Sequence, residues 1–199
     1  MKPRIVAIAG LSGSGKTALA QEVIRRLSGR CSLLPLDSYY RPLPSLTIEQ
    51  RAVRNYDHPD ALDWALLDTH LAELAEGRAV AAPIYLFDQH TRSRETRTIA
   101  PNEVILVEGI LALHREAIRT MAKVRAFVAT SEVECLRRRM ERDMAERGRS
   151  RESVLAQYHA TVWPMAVEYV LPSRQHADVM ISGEEPLEQT AGELLRLIL

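Results

Sequence analysis

Lysine is nearly missing from this chain. Across 199 residues it occurs only as Lys2, Lys16 and Lys123, while arginine supplies the rest of the basic complement. A compact ammonium on a slim stem and a planar guanidinium fork suit different partners, so a lysine kept in such a background marks a place where arginine does not serve. Cysteine is almost as scarce. Cys31 and Cys135 have no metal-type spacing and make no disulfide framework, and both read as packing residues. Net charge is absent too, with 26 Lys plus Arg against 26 Asp plus Glu, so no global field recruits nucleic acid or an anionic membrane. No segment approaches the length of a membrane span, and no charged leader with a following apolar stretch precedes Ile5. These absences predict a soluble, cytoplasmic protein. The chain also lacks internal repeats and low-complexity tracts, and 46% hydrophobic content over this length predicts one compact domain, residues 1–199.

What is present is an alternation. Short apolar runs at Ile5–Ala9, Ser32–Leu36, Val104–Val107, Val124–Val128 and Val179–Ile181 read as buried strands. Helical patterns lie between most of them: Lys16–Leu27, Asp63–Glu76, Glu132–Glu146, Arg151–Val170 and Pro186–Ile198. Asp63, Ser131 and Ser150 stand as N-caps, and Gly77 and Gly148 as stops. The pattern predicts an α/β fold with a mostly parallel sheet covered on both faces. Val80–Ile99 breaks the rhythm with Pro83, then aromatics, then alternating Thr and Arg, which reads as a hairpin or flap able to cover a small acceptor.

Lys16 closes the segment Gly10–Thr17, GLSGSGKT, set between the first strand and the first helix. In that context the segment is a phosphate-gripping loop. Gly10, Gly13 and Gly15 let the backbone curl, N–H groups of the loop from Gly10 through Ser12, Ser14 and Ala18 face the phosphates, and Lys16 reaches the outer ones. The Thr17 hydroxyl faces a magnesium ion, and the helix adds its positive end. The chain is therefore expected to bind a nucleoside triphosphate. Ligands of open α/β sheets bind at the carboxyl ends of strands, which picks out Asp37 after Leu36 and Glu108 after Val107. A carboxylate there meets the oxygen preference of magnesium.

A phosphate loop alone does not separate kinases from ATPases or switches. Further segments do: LDSYY (Leu36–Tyr40), NYDHPDALD (Asn55–Asp63), PIYLFDQHTR (Pro83–Arg92), EGILAL (Glu108–Leu113), RRRMERDMAERGR (Arg137–Arg149), Gln157–Tyr158 and ADVMI (Ala177–Ile181). With the loop they resemble the uridine kinase family of P-loop kinases from Gly10 to about Ile181. The resemblance implies a three-layer P-loop kinase fold with a flap at about 80–100 and a helical lid at about 137–150. It implies ATP, with GTP open, and magnesium held by Thr17, Asp37 and Glu108. Uridine and cytidine would be the acceptors, phosphorylated at the 5′-hydroxyl, with Asp37 as the catalytic carboxylate. It further implies Tyr40, Tyr56, Asp57, Tyr85, Phe87, His90, Arg139, Arg149 and Gln157 as nucleoside contacts, with Arg142 and Arg147 on the transferring phosphates. Family members are commonly tetrameric and inhibited by pyrimidine triphosphates.

Two departures accompany the match. Leu86 stands where the family has aspartate directly after the flap tyrosine, with Asp88 two residues on, and SGEEPLEQ follows Ile181 in place of a basic, glycine-rich stretch. On composition alone Arg137–Arg149 reads as a solvated helix face, and Arg137 and Arg138 are left to the surface. Two other readings stay open. A related kinase for pantothenate, ribulose phosphate or a sugar acid would share Asp37 and Glu108, and a regulator that has lost catalysis would keep the loop. A GTP switch would need an Asn-Lys-x-Asp element, which is absent.

Overall fold

In the computed structural model, which describes residues 2–199, the apolar runs become strands. The strands are β1 (Arg4–Gly10), β2 (Cys31–Pro35), β3 (Val80–Leu86), β4 (Thr91–Ile99), β5 (Val104–Glu108), β6 (Ala122–Ala129) and β7 (Val179–Ser182). Five of them form one sheet in the order β2-β5-β1-β6-β7, every pairing parallel, while β3 and β4 form a separate antiparallel hairpin. Side chains alternate across a strand, and β1 divides accordingly: Ile5, Ala7 and Ala9 join one core, Val6 and Ile8 the other.

The second core is closed by α1 (Lys16–Leu27) and α9 (Leu187–Ile198), which lie side by side. The first is closed by α3 (Trp64–Ala75), whose Leu67, Leu71 and Leu74 are fully buried at helical spacing, each stabilising by about 1.5–3 kcal/mol. Asp63 caps α3 by accepting from the Leu66 amide at 3.3 Å. Ser150 likewise caps α6 (Arg151–Gln157) through the Ser153 amide. Ser131 occupies the N-cap of α5 (Glu132–Arg147) without a side-chain bond; its amide instead donates to Glu184. Two short helices escaped the sequence reading, α2 (Ile48–Ala52) and α4 (Glu116–Met121). Each is too short for a helical period to declare itself.

The helical pattern expected over Arg151–Val170 runs on to His176, and it is not uniform. Wide π turns at Tyr158–Val162 and Ala166–Val170 interrupt it, followed by α7 (Trp163–Met165) and α8 (Leu171–Ser173). Pro164 and Pro172 sit in those short stretches; a proline has no N–H to give and clashes with the carbonyl four residues back, and a widened turn relieves both. No helix among the described residues is long and apolar enough to cross a membrane.

Candidate active site

The phosphate-type loop sits where β1 ends and α1 begins. Gly13 has φ +85° there, and a Cβ at that position would lie 2.2 Å from the Cys135 carbonyl oxygen, so no other residue fits against α5. Gly15, at φ 95°, is the N-cap of α1 and leaves its first amides free of a side-chain cap. The loop is fastened from outside, with the Thr130 hydroxyl donating to the Ser14 carbonyl at 2.8 Å.

Lys16 is buried, and its Nζ lies 3.4 Å from the Leu11 carbonyl and 3.8 Å from Glu108 Oε1. Thr17 Oγ1 donates to the same Glu108 carboxylate at 3.2 Å. Burial drives the Glu108 pKa upward, opposed by the charge of Lys16. Among the described residues no group of three or more His, Cys, Asp or Glu could hold a metal by itself. A hydroxyl and a carboxylate side by side, with Asp37 on the same cavity, suit magnesium, which takes few protein oxygens and completes its shell with water and phosphate.

Ser12, Lys16, Thr17 and Asp37 line one end of a cavity of about 370 Å³. Asp37 lies on the single 3₁₀ turn Leu36–Tyr39 that follows β2, and accepts from Tyr40 Oη at 3.2 Å. Arg92 of β4 holds this turn in place, donating to the Tyr39 and Tyr40 carbonyls at 2.8 and 2.7 Å and to Asp63 at 3.2 Å. The β3–β4 hairpin is thereby tied to the turn that carries Asp37. Asp57, 8% exposed, also lines the cavity; burial raises its pKa, and Arg139 is the main charge opposing this.

Part of the lining is aromatic. Tyr40 meets Tyr56 and Tyr85 edge-on at 5.2 and 5.1 Å, and Tyr85 meets Phe87 at 5.2 Å. Burial holds the Tyr40 and Tyr85 phenols protonated, and the buried hydroxyls of Tyr56 and Tyr85 have each other as neighbours but no well-formed hydrogen bond within the protein. Polar atoms in that state are ready to meet a ligand. His90, at the hairpin turn, has φ 50°, a conformation that costs a non-glycine residue about 1–3 kcal/mol. Its ring stacks on Tyr56, centroids 5.6 Å apart. Tyr56 and Phe87 therefore do not offer all their faces to a ligand, since the Arg147 guanidinium covers Phe87 at 4.7 Å.

Helix α5 supplies further lining. Arg139 donates to Ser12 Oγ at 2.7 Å and to Gln157 Oε1 at 3.1 Å, and Arg149 bonds the same Gln157 oxygen. Arg142 and Arg147 belong to that lining as well. Of the residues singled out in the sequence, Lys16, Thr17, Ser12, Asp37, Tyr40, Tyr56, Asp57, Tyr85, Phe87, His90, Arg139, Arg142, Arg147, Arg149 and Gln157 all line this one cavity. Glu108 reaches it through Thr17, whereas Gly10, Gly13, Ser14 and Gly15 form the loop behind it and Ala18 lies exposed on the first turn of α1. A second cavity, about 410 Å³, opens beside Arg41, Arg54 and His58 and shares only Tyr56 with the first.

The expectation for Arg138 needs correction. It is only 31% exposed and donates to the Gly183 carbonyl at 2.8 Å beside Gly15, because it stands three residues after the buried Cys135, on the face of α5 that packs against the loop. Arg137, 53% exposed, is on the surface as expected. Sequence reading also passed over Asp88, Ser153, Ile110 and Ala52 on the cavity, Arg92 beneath it and Asp143 behind the arginines. Only Asp143 carried a local signal, lying four residues from both Arg139 and Arg147.

The chain is similar to known proteins over most of its length. Residues 5–187 match the model of the Phosphoribulokinase / Uridine kinase family. A uridine kinase of Serratia proteamaculans is 43% identical over 182 residues, covering 89% of this chain and 85% of that protein. One of Halobacterium salinarum is 41% identical over 176 residues, covering 88% and 78%. The solved phosphoribulokinase of Rhodobacter spheroides superposes with a TM-score of 0.67 at 17% identity, over 94% of this chain and 74% of that one, a likeness of fold.

Proposed function

The chain belongs to the Phosphoribulokinase / Uridine kinase family, and on that premise we propose that it transfers the γ-phosphoryl group of ATP to the 5′-hydroxyl of uridine, with cytidine as second acceptor. The observation that carries this reading is the joining of loop, acid, aromatic side chains and arginines in one cavity. We read the chain as a single domain acting in the cytoplasm as a homo-oligomer, with flap about 80–100 and lid about 137–150.

Phosphoryl transfer asks little covalent chemistry of the protein; it asks for position and charge. In our reading Lys16 and the loop amides from Gly10 to Ala18 grip the donor phosphates. Thr17, Asp37 and Glu108 would hold magnesium, which supplies positive charge to the phosphate oxygens. Asp57 holds the ribose hydroxyls, and its burial beside Arg139 supports this, since a carboxylate in so little water needs donors. Asp37 accepts the proton of the 5′-hydroxyl as that oxygen meets phosphorus. Arg142 and Arg147 meet the charge that develops on the transferring group. Tyr85 and His90 read the pyrimidine edge; both groups donate or accept according to rotation or tautomer, which fits uracil and cytosine alike. Tyr40, Tyr56 and Phe87 pack the base, and Arg139, Arg149 and Gln157 close over the nucleoside.

The test is ADP release with ATP and magnesium, offering uridine, cytidine, adenosine, pantothenate and ribulose 5-phosphate in parallel. Turnover confined to the last two discards the base pocket; silence with all discards the kinase. His90→Ala then raises the nucleoside KM about 10–100-fold while the ATP KM stays put, as expected for one lost polar contact. Burial, with Arg149 and Arg147 adding to it, holds the His90 pKa below its ordinary 6.5. The ring is then mostly neutral above that pH, so wild-type KM for cytidine, whose neutral base has no acidic imide proton, changes little above pH 6.5 and rises below it, and a rise between pH 6.5 and about 8 contradicts the assignment.

A further inference from the structure

Four arginines on the cavity wall converge on one residue that does not line the cavity. Asp143 has no exposed surface. Its Oδ1 accepts from Nε and Nη2 of Arg142 at 2.9 and 2.8 Å, and Arg147 Nη1 lies 3.3 Å from the same oxygen. Oδ2 faces Arg139 Nε at 3.5 Å. The backbone takes part as well, since the Asp143 carbonyl accepts from the amides of Gly148 and Arg149 where α5 ends. One buried residue thus reaches Arg139, Arg142 and Arg147 by its carboxylate and Arg149 by its carbonyl.

Three guanidiniums this close repel one another, and each has many rotamers in solution. A single carboxylate among them offsets the repulsion and selects one arrangement. Burial alone would raise the Asp143 pKa, but Arg139, Arg142 and Arg147 outweigh it and the group is held below the usual range, charged at neutral pH. The arginines are not used up by this. Arg142 spends Nε and Nη2 on Asp143 and has Nη1 over, and Arg147 keeps its guanidinium face on Phe87 at the flap. Arg139, Arg142 and Arg147 line the cavity while Asp143 does not.

We infer that Asp143 is a positioning residue for phosphoryl transfer, presetting Arg142 and Arg147 at the cavity so that they meet the transferring group without rearrangement. This rests on the kinase reading above. Charge placed in advance of the transition state acts on kcat, whereas charge that must first be reorganised does not.

Asp143→Asn keeps the shape but turns an amide NH₂ toward the guanidiniums. We expect kcat to fall about 100-fold, with the KM values for uridine and ATP each within about threefold of wild type. Melting of the same sample fixes the folded fraction. Folded variant with kcat within about threefold of wild type overturns the inference, and so does a rise in both KM values at unchanged kcat. If that variant does not fold, Asp143→Asn with Arg147→Gln removes one uncompensated charge and is compared with Arg147→Gln alone. A further loss of about tenfold is expected because Arg142 loses its anchor, and equal turnover overturns the idea. Binding of ADP, magnesium and aluminium fluoride, a mimic of the transferring group, separates this from the choice of acceptor. The mimic should bind Asp143→Asn about 100-fold more weakly whichever alcohol the wild type accepts, and unchanged affinity overturns the positioning role even where uridine is turned over.

Discussion

Asp37→Asn lowers kcat about 1000-fold and leaves the dissociation constant for ATP within about threefold. The amide has the size of the carboxylate and keeps one oxygen for the Tyr40 hydroxyl, which lies 3.2 Å from Oδ1, so the 3₁₀ turn that carries it stays formed. What is lost is the capacity to take a proton from the attacking alcohol and the negative charge beside Thr17 and Glu108. A loose phosphoryl-transfer transition state gains less from a base than an acyl transfer does, so the size of the loss is informative. A loss near tenfold would leave Asp37 a purely electrostatic role, and turnover equal to wild type would remove it from the chemistry. Nucleotide binding measured by titration on the same preparation separates these outcomes from a damaged loop.

Lys16→Arg, conservative in charge, lowers kcat/KM for ATP about 100-fold or more. The residue is 8% exposed, with Nζ 3.4 Å from the Leu11 carbonyl and 3.8 Å from Glu108. A guanidinium is wider than the ammonium it replaces, and it cannot enter between β- and γ-phosphates while the loop keeps the path that Gly13 enforces against Cys135. The melting temperature is expected to fall as well, since overpacking a buried site costs about 1–3 kcal/mol. Retained activity would mean that the loop opens enough to admit a forked cation, and the scarcity of lysine would then carry no message about position 16.

Much of this was legible along the chain. The loop announced itself because its chemistry needs consecutive residues: glycines for the curl, lysine and threonine at fixed distance, a strand before and a helix after. The strand ends announced Asp37 and Glu108, since buried parallel strands read as apolar runs and a carboxylate closing one is conspicuous. The helix Lys16–Leu27 has the bounds its pattern predicts. The caps Asp63 and Ser150 were equally local, because a cap reaches only two or three residues ahead.

What the sequence could not determine is of another kind. It did not say that Arg92 would hold the turn bearing Asp37, because those residues are joined across 52 and 53 positions of chain. It named Phe87 and Tyr56 only as nucleoside contacts, whereas the fold lays Arg147 on the first and His90 on the second. It assigned Arg138 to the solvent because composition gives every arginine of α5 the same value; the fold sends one helix face to Gly15 and Gly183 and another to water. It passed over Asp143, whose importance is the convergence of three guanidiniums on one buried carboxylate. Sequence by itself determined the residue types and the short-range geometry, because propensity, capping and loop curvature act within a few residues. Only the tertiary structure decided which charges are buried together, because burial and mutual distance set the strength of a charge and neither exists until the sheet, the β3–β4 hairpin and α5 come together around one cavity.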